Sequence, residues 1–447
     1  MSKKITVILI LLMISSYCLG QSNFNLPRSD SDRIHFKLIG NLIILPVEVN
    51  GVKLSFVLDS GVSKPILFNL ANVDSLQIRH VEKIFLRGLG GGEPVEAMKS
   101  KNNFFRVGNA ININQDIYVV FDSSLNFTPR LGTPIHGIVG YDLFKNFTVE
   151  INYASKYIEL HKPETYKYKK CNKCETLDLS FYRNKPYITG EVLVDSQFIP
   201  VKLLIDTGSS DALWLFEDDS LGLTPFNDIY FEDFLGKGLS GNVFGKRSKI
   251  EAFKLKSFRL DNVNTAFPDS SAISYAKRFK ERNGSISGEL LKRFNLIVDY
   301  KNAKLTLKKN SNFKTPFYYN RSGIVLEQNG VIVVKEKEAN KNMGYSSGTD
   351  NSRVQIDIVT NFKYSLKPAY TIVELREGSP AEKAGLQIND IILSINGKDT
   401  HLLALENVIN YFKSKIGKLI KLKVDRQGTI MQFEFRLEDV FKQKELP

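Results

Sequence analysis

Cysteine, tryptophan and histidine are scarce in this chain: three, one and five among 447 residues. Three cysteines cannot staple a disulfide framework, so a large fold must be held by an apolar core. The histidines are scattered without ligand spacing, and no zinc motif can be assembled from them. No Gly-x-Ser-x-Gly occurs to anchor a Ser-His-Asp site. Lys/Arg blocks with interleaved aromatics are also missing. The formal charge of +13 therefore reads as a solvated basic face, with no nucleic-acid partner expected. Past the first twenty residues, no apolar stretch nears the roughly 20 residues that cross a bilayer.

Those first residues differ from the rest. Lys3 and Lys4 precede the apolar run Ile5 to Ile14, and Cys18 and Gly20 are small residues before a cleavage that would leave Gln21 first. Residues 1–20 are expected to be a signal peptide, and the mature chain to be exported, periplasmic or extracellular, with no transmembrane span. It would keep only Cys171 and Cys174, which in an exported chain are a small disulfide or two idle thiols. The Lys- and Tyr-rich surroundings do not suit a redox pair.

With 43% hydrophobic and 24% charged residues, the remainder is globular, and length alone allows about two to four domains. Short apolar or alternating runs separated by Gly, Asn and Pro fill residues 33–160, including Leu42 to Val49, Leu54 to Leu58 and Tyr157 to Leu160. Residues 176–308 repeat the pattern, which is that of a hairpin-rich β domain. Within it, Phe56-Val57-Leu58-Asp59-Ser60-Gly61 is matched by Leu203-Leu204-Ile205-Asp206-Thr207-Gly208-Ser209. A carboxylate beside such an apolar run needs donors or a partner group, which a hydroxyl and a tight glycine turn supply. Ser60, Gly61, Thr207, Gly208 and Ser209 are the expected supports.

Later landmarks keep the same order. Asp59 lies 81 residues before Gly140 and Asp206 lies 82 before Gly288. Val149-Glu150-Ile151-Asn152-Tyr153 answers Ile297-Val298-Asp299-Tyr300. Glycine clusters follow each acid, with Gly88, Gly90 and Gly91 in one half and Gly236 and Gly238 in the other. Four landmarks in register mean a duplication. Glycine-rich hairpin tips suit mobile flaps over a ligand, and a flap hairpin explains Gly236 to Gly241 better than a dinucleotide loop, which would need a helix after it.

Doubled Asp-Ser/Thr-Gly motifs, each followed by a glycine cluster and an apolar-x-Gly turn, resemble aspartic proteases. The short halves look like two fused retropepsin-like lobes, over about residues 33–310. Val62 departs from the serine that often follows the first motif, so the hydrogen bonds to the two acids need not match. Residues 311–447 change character. Glu377-Gly378-Ser379-Pro380-Ala381, then Ile391 to Ile395, the Asn396-Gly397 turn and an amphipathic run His401 to Lys415 resemble a PDZ domain of the bacterial exported type. That resemblance puts a carboxylate-accepting loop at Lys367, Pro368, Ala369 and Tyr370. The groove would lie between the strand from Thr371 and the helix from His401.

The expected fold is mainly β: a signal peptide at 1–20, acid-protease lobes at 21–163 and 164–310, and a PDZ α+β domain at 311–447. The resemblance implies an aspartic endopeptidase that works as a monomer on peptide or protein substrates without metal or organic cofactor. Asp59 and Asp206 would share a proton and activate a water, while the PDZ domain binds peptide ends. The alternative is an inactive protease-fold scaffold that acts through its PDZ groove.

Overall fold

The computed structural model describes residues 23–441, apart from 71, 72, 74, 75, 226–228 and 338–361. The expected signal peptide and most of the polar insertion Lys335 to Arg353 lie outside the described residues. The chain is mainly β, as its patterning requires. It divides into two compact units. One holds the residues up to Phe127, Pro134–Tyr319 and Val440 onward; the other holds Thr128–Thr133 and Asn320–Asp439.

The first unit is written twice. Strands β1 (Leu42–Val49), β2 (Val52–Leu58) and β3 (Gly137–Val139) lie in one eight-stranded sheet. Their counterparts β4 (Lys185–Val194), β5 (Gln197–Asp206) and β6 (Arg282–Ser287) lie in a second eight-stranded sheet. β2 pairs in parallel with β3, and β5 with β6. A six-stranded sheet takes three strands from each half, and the two repeat landmarks meet at its centre, where Val149 lies opposite Val298 and Ile151 opposite Leu296. One hydrophobic core runs through both halves, from Phe56 and Val139 to Leu203 and Ile286. Phe24 and Leu26 are buried in it too.

Strand register corrects one sequence alignment. Leu58 pairs with Val139 and Ile205 with Ile286, so the halves superpose at a constant offset of 147 residues. Gly140 therefore corresponds to Ser287, not to Gly288, and Ser285 stands where the first half has Ile138. The true glycine match is Gly137 with Gly284. In both, an added Cβ would fall within 2.5 Å of a neighbouring strand's carbonyl oxygen, Ile66 and Trp214 respectively, so only glycine fits.

The second unit has its own core, built from Ile372, Ile392, Val408, Phe412 and Ile420. Its long antiparallel ribbon pairs β7 (Ile324–Lys337) with β8 (Phe362–Leu375). Ser379 caps the short helix that opens with Pro380, and Asn396 and Gly397 both take positive φ, as expected. The amphipathic run is shorter than its pattern: α1 spans Leu405–Phe412, behind a 3₁₀ turn at Thr400–Leu402. Leu402, near the start of that run, is exposed.

Candidate active site

Two apolar strands end on the two acids. β2 delivers Asp59 and β5 ends at Asp206, each turning at once into hydroxyl and glycine. The Gly61 amide donates to Asp59 Oδ1 at 2.7 Å and the Gly208 amide to Asp206 Oδ1 at 3.1 Å. The two carboxylates are neighbours. A Cβ placed on Gly61 would sit 3.1 Å from Asp59 Oδ1 and 3.7 Å from Asp206 Oδ1, and one on Gly208 would collide with Asp59 Oδ2 at 2.5 Å. Glycine after each hydroxyl is thus what lets the acids approach.

Beneath them the halves hold each other. The Ser60 amide donates to Thr207 Oγ1 at 3.0 Å, and the Thr207 amide donates to Ser60 Oγ at 3.2 Å. Each hydroxyl then donates onward, Ser60 to the Ile205 carbonyl at 2.6 Å and Thr207 to the Leu58 carbonyl at 2.7 Å. Both side chains are buried. Outside this knot, hairpin tips latch across the seam. Asn41 Nδ2 donates to the Ser210 carbonyl, and Ser63 Oγ, its counterpart, to the Arg183 carbonyl. Sequence reading missed these latches, and also the matched braces on β2 and β5. There the Ser55 amide donates to His136 Nδ1 and the Lys202 amide to Asn283 Oδ1.

Burial, and next the charge of Asp206, push the Asp59 carboxyl up to about 7. Burial raises Asp206 as well, against the pull of Arg282 and Lys185 and of the Gly208 and Ser209 amides. The Ser209 amide thus adds its pull on Asp206, while among the described residues the amide that bonds the Asp59 carboxylate is that of Gly61. Two close acids with raised affinity for protons share one between them, and can hold a water for attack on a polarised carbonyl.

The predicted flap glycines come together. The Gly88 amide donates to Ser240 Oγ and the Ser240 amide to the Leu89 carbonyl, at 3.0 and 2.9 Å. Added Cβ atoms at Gly90 and Gly238 would meet the Gly241 and Leu89 carbonyl oxygens at 2.4 and 2.2 Å. Gly91 packs on the Ser271 backbone, while Gly236 has open space around it and φ +155. Gly238 and Gly241 face each other at the tip of a β-hairpin, with no helix after it.

In the second unit the expected binding loop is corrected. Pro368, Ala369, Tyr370 and Thr371 are not a loop: they lie within β8, paired with β7, and Thr371 also pairs with Ile391. Ala369 and Tyr370 are buried, and the Tyr370 hydroxyl donates to the Leu403 carbonyl. The stretch runs as strand because its backbone pairs with β7 on both sides of a register shift between Gln328 and Val331. Among the described residues, β7 is one of the two edge strands of this sheet, and it contacts α1. The segment Thr128–Thr133 of the same unit rests there. Arg130 bridges Glu327 and Glu374 at 2.9 and 2.6 Å, and Gly132 lies against Leu405 and Gln328.

Cys171 and Cys174 are joined as a disulfide. Glu150, Glu159 and His161 converge. Arg33 already holds Glu159 and the Tyr166 hydroxyl holds Glu150, at 2.7 and 2.8 Å, which explains their clustering without an ion. Among the described residues no helix is long and apolar enough to cross a membrane.

Comparison with known proteins bears on both units. Residues 45–143 match the family described as aspartyl protease, and residues 371–426 the PDZ domain family. A carboxy-terminal processing protease, CtpB, of Bacillus subtilis is 40% identical over 76 residues, 17% of this chain and 15% of its own length. The serine protease Do-like HtrA of the same organism is 36% identical over 77 residues, 17% of each chain. A probable periplasmic serine endoprotease, DegP-like, of Chlamydia muridarum is 40% identical over 72 residues, 15% of this chain and 14% of its own. The chain thus spans about a sixth of the length of these relatives, and the likeness to the serine proteases falls in the PDZ region alone. The chain carries an aspartyl protease domain followed by a carboxy-terminal PDZ domain.

Proposed function

We propose that this protein is an aspartic endopeptidase whose catalytic residues are Asp59 and Asp206. The observation that carries the reading is the pair itself: two acids from duplicated strands, adjacent, each bonded to its own glycine amide, over one reciprocal Ser60–Thr207 knot. In the reaction, one carboxylate takes a proton from water as the oxygen bonds to the scissile carbonyl carbon. The protonated partner donates to the carbonyl oxygen, and the tetrahedral adduct collapses as a proton passes to the leaving nitrogen. No step uses metal or organic cofactor. Both acids belong to one chain, so a monomer suffices. Ser60, Gly61, Thr207, Gly208 and Ser209 position the acids, and the joined glycine tips part to admit the substrate.

The PDZ domain would take peptide ends or extended segments by strand addition. The amino-terminal segment and the Cys171–Cys174 disulfide support export from the cytoplasm. A scaffold without activity has less in its favour, because burial of two acids side by side is costly and serves no binding role of the PDZ domain. Digestion of a random peptide library, read by mass spectrometry, tests the choice. Cleavage blocked by a statine-containing peptide supports the protease; an intact library with no statine binding supports the scaffold.

A further inference from the structure

One turn is used differently in the two halves of the duplication. At the 147-residue offset, Thr128–Thr133 corresponds to Tyr275–Lys280. The second-half turn packs into its own half, with Ala276 buried beside Phe216 and Ile273. Its first-half counterpart, Thr128–Leu131, has no buried residue and groups with the second unit. There it lies against β7. The Gly132 amide closes the turn by donating to the Thr128 carbonyl at 2.8 Å. Gly132 itself sits at φ +64, and a Cβ on it would lie 3.1 Å from Leu405 Cβ, at the start of α1, and 3.4 Å from Gln328 Oε1 on β7. Arg130 spans the ribbon, with Nε on Glu327 of β7 at 2.9 Å and Nη2 on Glu374 of β8 at 2.6 Å. The three side chains are partly exposed, so a peptide from solution can reach the two carboxylates.

We propose that the β7 edge beside α1 is a binding site for arginine-bearing peptides, and that the chain's own Thr128–Thr133 occupies it with Arg130 as the built-in ligand. The inference rests on the reading of the second unit as a peptide-binding domain, and adds which peptides it takes and what they displace. An edge strand offers backbone groups to any extended peptide, so the backbone alone does not select. Selection comes from Glu327 and Glu374, which converge on one guanidinium. A forked cation satisfies both carboxylates at once, which a lysine does less well and an acidic side chain opposes. The internal segment is tethered at both ends, so it competes at a high effective concentration. The apparent affinity for a free peptide falls by the fraction of time that the segment is seated.

The test is fluorescence anisotropy with the full chain carrying Asp206→Asn, so that no probe is cleaved. One labelled peptide copies residues 126–135, and a second is the same copy with Arg130→Glu. The arginine peptide should bind weakly to the chain whose segment is intact. It should bind about tenfold more tightly once Arg130→Glu in the protein turns two attractive pairs into repulsive ones. The glutamate peptide should bind neither. Adding Glu327→Lys and Glu374→Lys to a chain with Arg130 intact should reverse the preference, with melting curves confirming that each variant is folded. Equal affinity for the two peptides, or no gain from Arg130→Glu, would overturn the inference. If the Arg130→Glu chain retains other peptides from a random library but not the arginine copy, the inference fails and the peptide-binding reading stands. If it retains none, both fail.

Discussion

Ser60 and Thr207 each accept the other's backbone amide, at 3.0 and 3.2 Å, and so tie the two acid-bearing turns into one rigid floor. Thr207→Val keeps the shape but removes the acceptor, leaving the buried Ser60 amide unpaired at a cost of about 1–3 kcal/mol. Denaturant unfolding should show that loss, and kcat should fall by at least tenfold as the acids drift. Unchanged stability and rate would mean the knot is incidental.

The Asp59 carboxyl has a folded-state value of about 7, against 3.8 for the unfolded chain. Between those values the folded protein binds the extra proton, so stability is full below about pH 4 for this group and declines as pH rises through 7. The expected size is a few kcal/mol. Asp59→Asn should therefore melt at a higher temperature than the parent at pH 8, with the gap narrowing toward pH 4. Parallel melting curves at both pH values would contradict this.

Much of the pair was readable in the chain because its signal is local: an apolar strand, an acid, a hydroxyl and a glycine, twice. The duplication was readable too, yet the alignment slipped by one residue. Gly288 looked like the partner of Gly140, and only strand register shows that Ser287 is. Arg130 carried no signal, since it is an ordinary basic residue until the fold brings Thr128–Thr133 against β7. The PDZ loop was misplaced for a related reason: residues 367–371 suit a strand as well as a loop edge, and pairing with β7 decided between them.

Gly90 sits at φ +114 with the Gly241 carbonyl where a Cβ would go. Gly90→Ala should push the two tips apart, changing KM more than kcat and exposing the tips to added protease. Gly51→Ala is the control, since Gly51 also has positive φ but open space around it. Equal effects from both would reduce the junction to backbone strain, about 1–2 kcal/mol.

Arg130 pairs with Glu327 and Glu374 at the β7 edge. The pairs are partly exposed, so Arg130→Ala should lower stability by no more than about 1 kcal/mol. A peptide that adds to that edge should bind more tightly to the variant, by calorimetry. Unaltered affinity would place peptide binding elsewhere on the PDZ domain.

The central claim is that Asp59 and Asp206 work as one unit on the peptide bond. The direct measurement is kcat for a fixed peptide with the parent, Asp59→Asn, Asp206→Asn and the double variant, each confirmed folded. Either single change should lower kcat by several orders of magnitude, and the double should be little worse, because neither acid works alone. Cleavage that survives either substitution, or losses that simply multiply in the double variant, would contradict the account.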